Sequence, residues 1–288
     1  MHRVGLIGVG LVGTAILERL VAAKQIVTAF DVDPNARDRA AQFGVPVADS
    51  AAALVASSDV LFLCLPTSHE VQSVLLSCES SLQPYQYIID TSTGSPEAAI
   101  EFGELCTRHR AEYAEATILG SSEVIRSGNA VVMLGGQESA RVQAERFVRR
   151  FANQVFNVGP LGQASRMKLV VNLVLGLNRA ALAEGIAFAE GLGLDLPQTL
   201  EILKSGAAYS KAMDAKGEKM LRRNFTPQAR LAQHHKDIRL MLAAAASAGV
   251  SLPLSETHDR LLTLAEAAGH AESDNSAILA AYDRPAGK

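Results

Sequence analysis

The amino-acid sequence predicts an α/β chain in which a doubly wound N-terminal domain is joined by one long helix to an all-α C-terminal domain. Three observations carry this. A short apolar strand runs directly into Gly8-x-Gly10-x-x-Gly13; apolar strands then alternate with helical patterns through the first half; and from Gln163 onward the apolar residues recur at helical spacing. The implied divisions are 1–160 for the first domain, 161–192 for the long helix and 193–288 for the second domain.

The glycines set the chemistry of the first loop. Gly8 permits the tight turn, Gly10 lets the backbone approach a pyrophosphate, and Gly13 lets the following helix pack closely on the strand. The N–H groups that open this helix, at Leu11, Val12 and Gly13, are placed to bind the anion. Residues 14–24 continue the helix, and Ile26-Val27-Thr28-Ala29-Phe30 reads as a second strand ending at Asp31, which completes a βαβ unit of Rossmann type. A carboxylate at that place accepts hydrogen bonds from an adenosine ribose and repels a 2′-phosphate, so NAD is expected in preference to NADP. The competing reading is an Asp that only opens the turn Asp31-Val32-Asp33-Pro34.

Further strands are expected over 60–65 and 86–90, alongside 3–8 and 26–30, in a parallel sheet. Leu65-Pro66-Thr67 closes the third strand, and Asp90-Thr91-Ser92-Thr93-Gly94-Ser95-Pro96 closes the fourth. Ligands of open α/β sheets bind at such carboxyl ends, so both loops should face the dinucleotide. Ser95-Pro96-Glu97 reads best as the cap and first turn of a helix.

Composition excludes several classes. The net charge of −3 over 288 residues offers no basic field for nucleic acid. Three cysteines without Cys-x-x-Cys spacing argue against a disulfide framework, and Cys64 reads as a small buried residue of the third strand. His234-His235 is the one histidine pair, and neighbours on a helix point to different sides, so no metal is expected. With Glu18 and Arg19 in the first helix, the N-terminus does not read as a secretory leader, and the cytoplasm is the expected location.

The stretch from Gln163 to about Leu192 is one long helix, apolar on nearly every side. Lys168, Asn172, Arg179 and Glu184 interrupt it too often for a membrane span, so burial on all sides between domains or subunits is expected. Together with the Ala-rich run 243–248, this apolar surface points to a homodimer or homotetramer. Gly193, Gly206, Gly249 and Gly269 break the helices that follow. Lys168 and Asn172, four apart, share a helix face. A lysine in such apolar surroundings suits proton transfer, because desolvation lowers the affinity of an amine for its proton.

The matching pieces Gly8–Gly13, Leu65-Pro66-Thr67, Asp90–Thr93 with Pro96, Gly159-Pro160-Leu161-Gly162 leading to Lys168 and Asn172, Lys236-Asp237, and Asp274-Asn275-Ser276 extend over essentially the whole chain. In this order and spacing they resemble the β-hydroxyacid dehydrogenase family, which includes 3-hydroxyisobutyrate dehydrogenase and tartronate semialdehyde reductase and is related to 6-phosphogluconate dehydrogenase. The resemblance implies a hydride transfer between the nicotinamide cofactor and a small 3-hydroxy acid or its semialdehyde. It makes Lys168 the acid/base and Asn172 a substrate ligand, and it adds Leu65, Pro66, Thr93 and Lys236 to the dinucleotide site. One departure bears on substrate. Where the family usually has Asp-Ala-Pro-Val-Ser-Gly-Gly, this chain has Glu115-Ala116-Thr117-Ile118-Leu119-Gly120-Ser121, so Leu119 replaces a serine that helps to bind the substrate carboxylate. Gly120, Ser121 and Ser122 are the residues to which that role would pass. The alternatives are an aldehyde or imine reductase, the latter disfavoured by the retained lysine, and a catalytically silent dinucleotide-binding module.

Overall fold

The structure, a computed structural model, describes residues 2–283 and divides into two compact units, Met1–Lys168 and Leu169–Lys288. Seven strands make the sheet of the first unit: β1 Arg3–Ile7, β2 Ile26–Phe30, β3 Val60–Leu63, β4 Tyr87–Asp90, β5 Glu112–Leu119, β6 Ala130–Gly136 and β7 Ala152–Gly159. Their order is β2-β1-β3-β4-β5-β6-β7. Every neighbouring pair is parallel except β5 and β6, which pair antiparallel with Thr117 opposite Met133. The four strands expected from the sequence are parallel to one another, and the antiparallel pair lies beyond them in the sheet. The chain turns back after the short helix Ser122–Arg126, and no full crossover separates β5 from β6.

The helices between the strands are α1 Leu11–Ala22, α2 Pro34–Gln42, α3 Ala51–Ser57, α4 Ser68–Ser77, α5 Pro96–Arg108, α6 Ser122–Arg126 and α7 Glu138–Val148. They start where the sequence supplies caps. Asp33, Ser50, Thr67, Ser95 and Ser121 each accept an N–H of the first turn, and Pro34 and Pro96 follow their caps at the first helical position. The central strands are apolar throughout because both faces are covered. Leu6 and Phe62 pack with Ile16, Leu17, Phe147 and Phe151 on one side. On the other, Ile7, Leu61, Leu63 and Ile88 pack with Val71, Leu75 and Phe102. Adjacent residues of β3 thus feed opposite cores, as the two-residue period of a strand requires.

The long helix α8, Gln163–Gly191, starts in the first unit and continues into the second, where α9 Leu196–Ser205, α10 Lys211–Leu221, α11 Leu231–Ser247 and α12 Pro253–Ala265 follow, with tight turns over Asn275–Tyr282. Among the described residues of this unit no strand is present, only an isolated bridge between Arg230 and Asp274. Leu182, Ala183 and Ile186 of α8 join Leu200, Met220, Ile238 and Leu262 in its core. Asp274 is fully buried, accepts hydrogen bonds from Lys216 Nζ at 2.8 Å and from the N–H of Gln228 at 2.9 Å, and ties α10 to the C-terminal turns. Burial alone raises a carboxyl pKa, yet these donors outweigh it and hold Asp274 well below the usual range.

The expectation that α8 is buried on all sides is not met within one chain. Met167, Val170, Val174 and Leu175 are about half exposed, and Phe188 is 68% exposed. Only one stripe of α8 meets the helical core, because a helix packed on a single layer buries the residues of one face. By length and composition α8 is also long and apolar enough to cross a membrane. Charged and polar side chains at Lys168, Asn172, Arg179 and Glu184 interrupt it, and Arg179 is buried in its own unit.

Candidate active site

At the carboxyl ends of β1 to β4, where the strand order reverses between β1 and β3, the first unit opens a cavity of about 830 Å³. That is the size of a small-molecule or cofactor site, at the place where open α/β sheets bind ligands. Gly8, Gly10, Leu11, Val12, Gly13, Asp31, Leu65, Pro66 and Thr93 all line it.

The three glycines have separate reasons. Gly8 has φ +97°, and a Cβ there would lie 2.2 Å from the carbonyl oxygen of Cys64. A Cβ on Gly13 would lie 1.9 Å from the carbonyl oxygen of Gly8, so this residue sets how closely α1 approaches β1. Around Gly10 a Cβ would meet nothing within 4 Å. Gly10 lines the cavity, and the packing of the fold itself leaves room for a side chain there. The α1 N–H groups at Leu11, Val12 and Gly13 precede the first intrahelical bond, Thr14 N–H to the Gly10 carbonyl at 2.9 Å. A pyrophosphate fits this cradle, and the residues present suit a nicotinamide dinucleotide.

Asp31 makes the turn contacts that its sequence suggests, and it also lines the cavity. Its Oδ2 accepts the Val9 N–H at 2.7 Å and its Oδ1 accepts the Asp33 N–H at 2.9 Å, so it closes the turn and braces the glycine loop while lining the cavity. Arg37 lies over the Phe30 ring at 5.9 Å and donates to the Asp31 carbonyl, and Arg39 donates to the Val9 carbonyl at 3.4 Å. Both arginines therefore back this loop.

The loops after β3 and β4 are tied to each other. Ser92 Oγ accepts the Leu65 N–H at 2.9 Å, and Thr91 Oγ1 donates to the Leu63 carbonyl at 2.8 Å. Asp90 accepts Ser92 N–H at 2.8 Å and the Tyr113 hydroxyl at 2.5 Å, and burial pushes its carboxyl pKa up. This network turns Leu65, Pro66 and Thr93 toward the cavity. Cys64 contributes to the wall, and burial pushes its thiol up to about 11, which leaves it a poor nucleophile.

Lys168 is the last residue of the first unit, half-buried on α8, and its Nζ donates to Thr93 Oγ1 at 2.9 Å. An amine is thus placed at a hydroxyl that itself lines the dinucleotide cavity. Asn172 stands one helical turn further along α8 in the second unit, half-buried, and Lys236 is exposed on α11. Gly120, Ser121 and Ser122 form the turn from β5 into α6, where the Ser121 hydroxyl is used as a helix cap. None of these three lines the dinucleotide cavity.

Sequence reasoning missed two parts of the site. Glu70, Ser73, Val74 and Ser77 of α4 line the wall of the cavity. Their spacing of three, four and seven residues marks one helix face and was the available signal. The second is Glu115, 3% exposed on β5, whose carboxylate accepts Gly162 N–H at 2.5 Å and the Ser165 hydroxyl at 2.6 Å at the start of α8. Burial pushes its pKa up, and these donors pull against that shift. No local pattern announces this contact, because its partners lie 47 and 50 residues away.

Comparison with known proteins agrees with this geometry. Residues 3–159 match the NAD binding domain of 6-phosphogluconate dehydrogenase, and residues 162–282 match the NAD-binding domain of NADP-dependent 3-hydroxyisobutyrate dehydrogenase. The chain belongs to the β-hydroxyacid dehydrogenase family. It is 26% identical to the 2-hydroxy-3-oxopropionate reductase of Escherichia coli over 98% of this chain and 97% of that protein. Its fold superposes on Mycobacterium tuberculosis 3-hydroxyisobutyrate dehydrogenase with L-serine at a TM-score of 0.89 and 27% identity, covering 99% and 100% of the two chains. Identity to the cytokine-like nuclear factor N-PAC of Xenopus tropicalis is also 26%, over 97% of this chain, which spans 53% of that protein. The family membership and the dinucleotide-binding fold expected from the motifs are thus established.

Proposed function

We propose that this chain is a NAD-dependent dehydrogenase that exchanges hydride with a small 3-hydroxy acid or its semialdehyde, with Lys168 as the acid/base. The contact of Lys168 Nζ with Thr93 Oγ1, 2.9 Å long at a residue of the cavity wall, carries the proposal. The dinucleotide, when bound, supplies the hydride acceptor for oxidation and the donor for reduction. Gly8, Gly10, Leu11, Val12, Gly13, Asp31, Leu65, Pro66 and Thr93 would hold it, and Lys236 is proposed as a further contact. As a free amine, Lys168 accepts the substrate hydroxyl proton while the carbinol carbon is oxidised; as an ammonium, it returns that proton to the alcohol in reduction. Thr93 fixes the amine by accepting one of its hydrogens. Asn172 would orient the substrate oxygen from the next turn of α8. Gly120, Ser121 and Ser122 would meet the acid end, although the Ser121 hydroxyl already accepts the Val124 N–H.

The preference for NAD rests on Asp31. Its carboxylate would face an adenosine ribose favourably and a 2′-phosphate unfavourably. We further propose a cytoplasmic homodimer or homotetramer that acts on no nucleic acid and no membrane. The half-exposed apolar residues of α8 support association between copies.

The test is reduction of NAD and NADP over a panel of short 3-hydroxy acids, and oxidation of the reduced cofactors with the matching semialdehydes and other aldehydes. Turnover of an acid supports the dehydrogenase; turnover of neutral aldehydes alone moves the reading to an aldehyde reductase. The likeness to a nuclear factor favours one second reading, a catalytically silent dinucleotide-binding module. Tight NADH binding with no turnover over the whole panel would favour it.

A further inference from the structure

Glu115 occupies the place in the fold where the sheet and α8 meet. The first N–H groups of a helix have no partner inside it and need acceptors from elsewhere. Here the acceptor is a strand residue. Oε2 accepts Gly162 N–H at 2.5 Å, while Oε1 accepts the Ser165 hydroxyl at 2.6 Å and Ser165 N–H at 3.3 Å. Room for the carboxylate is made by glycine, since a Cβ on Gly135 would lie 2.5 Å from Oε2. Gly162 itself has φ +87°, and a Cβ there would meet the Pro96 carbonyl oxygen at 3.1 Å.

The same residue is registered to the strand that carries Thr93. Glu115 pairs with Asp90 across β4 and β5, and Thr93 follows Asp90 by three residues. On the helix, Lys168 follows Ser165 by three residues. The Glu115–Ser165 contact therefore precedes Lys168 on the helix, and Asp90, the register partner of Glu115, precedes Thr93 in the chain. Asp90, Tyr113, Glu115, Thr117 and Ser165 are among the residues that line a small space of about 10 Å³ here.

We infer that Glu115 is the positioning residue for Lys168: its carboxylate caps the first turn of α8 from β5 and fixes where the lysine amine leaves the helix relative to Thr93. A cap made only for stability would serve equally well from a residue next to the helix, as Asp33 and Ser95 do for α2 and α5. A cap supplied by the sheet also sets the rotation and depth of the turn that carries the amine. It also places a carboxylate at the positive end of α8, one turn before Lys168. The inference deepens the proposed function and rests on Lys168 being the acid/base, yet the seating itself can be read without turnover.

The experiment compares wild type, Glu115→Gln, Glu115→Asp and Ser165→Ala in the full chain. Lys168 is labelled with an amine reagent across pH 6–11 and quantified by peptide mass spectrometry, alongside kcat, NADH affinity and thermal unfolding. Glu115→Gln removes the charge and turns an amide toward two N–H donors. It is expected to lower the Lys168 labelling midpoint by about 0.5–1 pH unit and kcat by about 10–100-fold, with NADH affinity within about twofold. Glu115→Asp keeps the charge one methylene short and should restore the midpoint and part of kcat. Ser165→Ala loses one arm without a charge change and should lower kcat with the midpoint unmoved; these two variants carry the test if Glu115→Gln does not fold. A purely structural cap would lower the unfolding temperature and leave the midpoint and kcat of folded protein unchanged, and that result overturns the inference. If Lys168→Ala keeps wild-type turnover, the acid/base assignment fails, while a shifted labelling midpoint still reports the seating.

Discussion

Gly10 and Gly13 lie three residues apart in one loop, and the structure gives them opposite reasons to be glycine. At Gly13 an added Cβ would sit 1.9 Å from the carbonyl oxygen and 2.9 Å from the carbonyl carbon of Gly8. Contact normally begins beyond 3 Å, so α1 must retreat from β1 by more than an ångström or the loop must distort. Overpacking of this kind costs about 1–3 kcal/mol. At about 2–4 °C per kcal/mol for a domain of this size, Gly13→Ala should lower the unfolding temperature of the first unit by roughly 2–12 °C. Gly10 has φ −73° and ψ −162°, a backbone that alanine adopts freely, and its Cβ would enter open space. Gly10→Ala should therefore unfold at the wild-type temperature. Its methyl group would occupy the space through which a pyrophosphate reaches the α1 N–H groups. Loss of two hydrogen bonds to charged oxygens, about 1.5–3 kcal/mol each, weakens NADH binding by at least ~100-fold. Circular dichroism reads the unfolding, and NADH fluorescence reads the binding in a chain that contains no tryptophan. Gly10→Ala with wild-type NADH affinity, or with the unfolding shift expected of Gly13→Ala, refutes the reasoning.

Other substitutions and conditions give distinct outcomes. Asp31→Ser removes the carboxylate expected to repel a 2′-phosphate, and the ratio of kcat/KM for NADP over NAD should rise at least ~10-fold; an unchanged ratio places cofactor choice elsewhere. In the second unit, His234 and His258 pack ring to ring at 5.2 Å. Burial and the neighbouring Arg179 and His235 push His258 down to about 4 against a weaker pull from Asp259, and His234 falls further. Both imidazoles stay neutral in the fold, so below pH ~6.5 the unfolded chain binds more protons and stability falls with pH, by about 2 kcal/mol per histidine from pH 6.5 to 5. Thermal unfolding should show that acid loss, and His258→Gln should flatten it; a wild-type curve level from pH 7 to 5 contradicts it.

Much of the first unit was legible because local signals agreed. The strand before Gly8, the Asp33-Pro34 and Ser95-Pro96 helix starts and the uniform apolar run of β3 are each satisfied by nearby residues. The reversal at β6 was not legible, since Ala130–Gly136 is as apolar as a parallel strand and the direction of pairing leaves no mark on residue type. β7 was hidden by exposure, its Asn153, Gln154, Phe156 and Asn157 lying in a sheet-edge strand of mixed character. The cavity residues of the glycine loop were found through spacing, whereas the Lys168–Thr93 contact joins residues 75 apart, and only the fold brings them together. Glu115 shows the same limit, a charged residue in an apolar strand whose reason lies in a helix that begins well after it in the chain.

The deciding measurement is the pH dependence of kcat for hydroxy-acid oxidation in wild type and Lys168→Ala, with NADH affinity measured on the same preparations. A lysine that takes the substrate proton predicts wild-type rates that rise with pH as the amine becomes free, and a variant at least ~100-fold slower with no such rise and with NADH binding intact. Equal rates and the same pH profile in both proteins would contradict Lys168 as the acid/base.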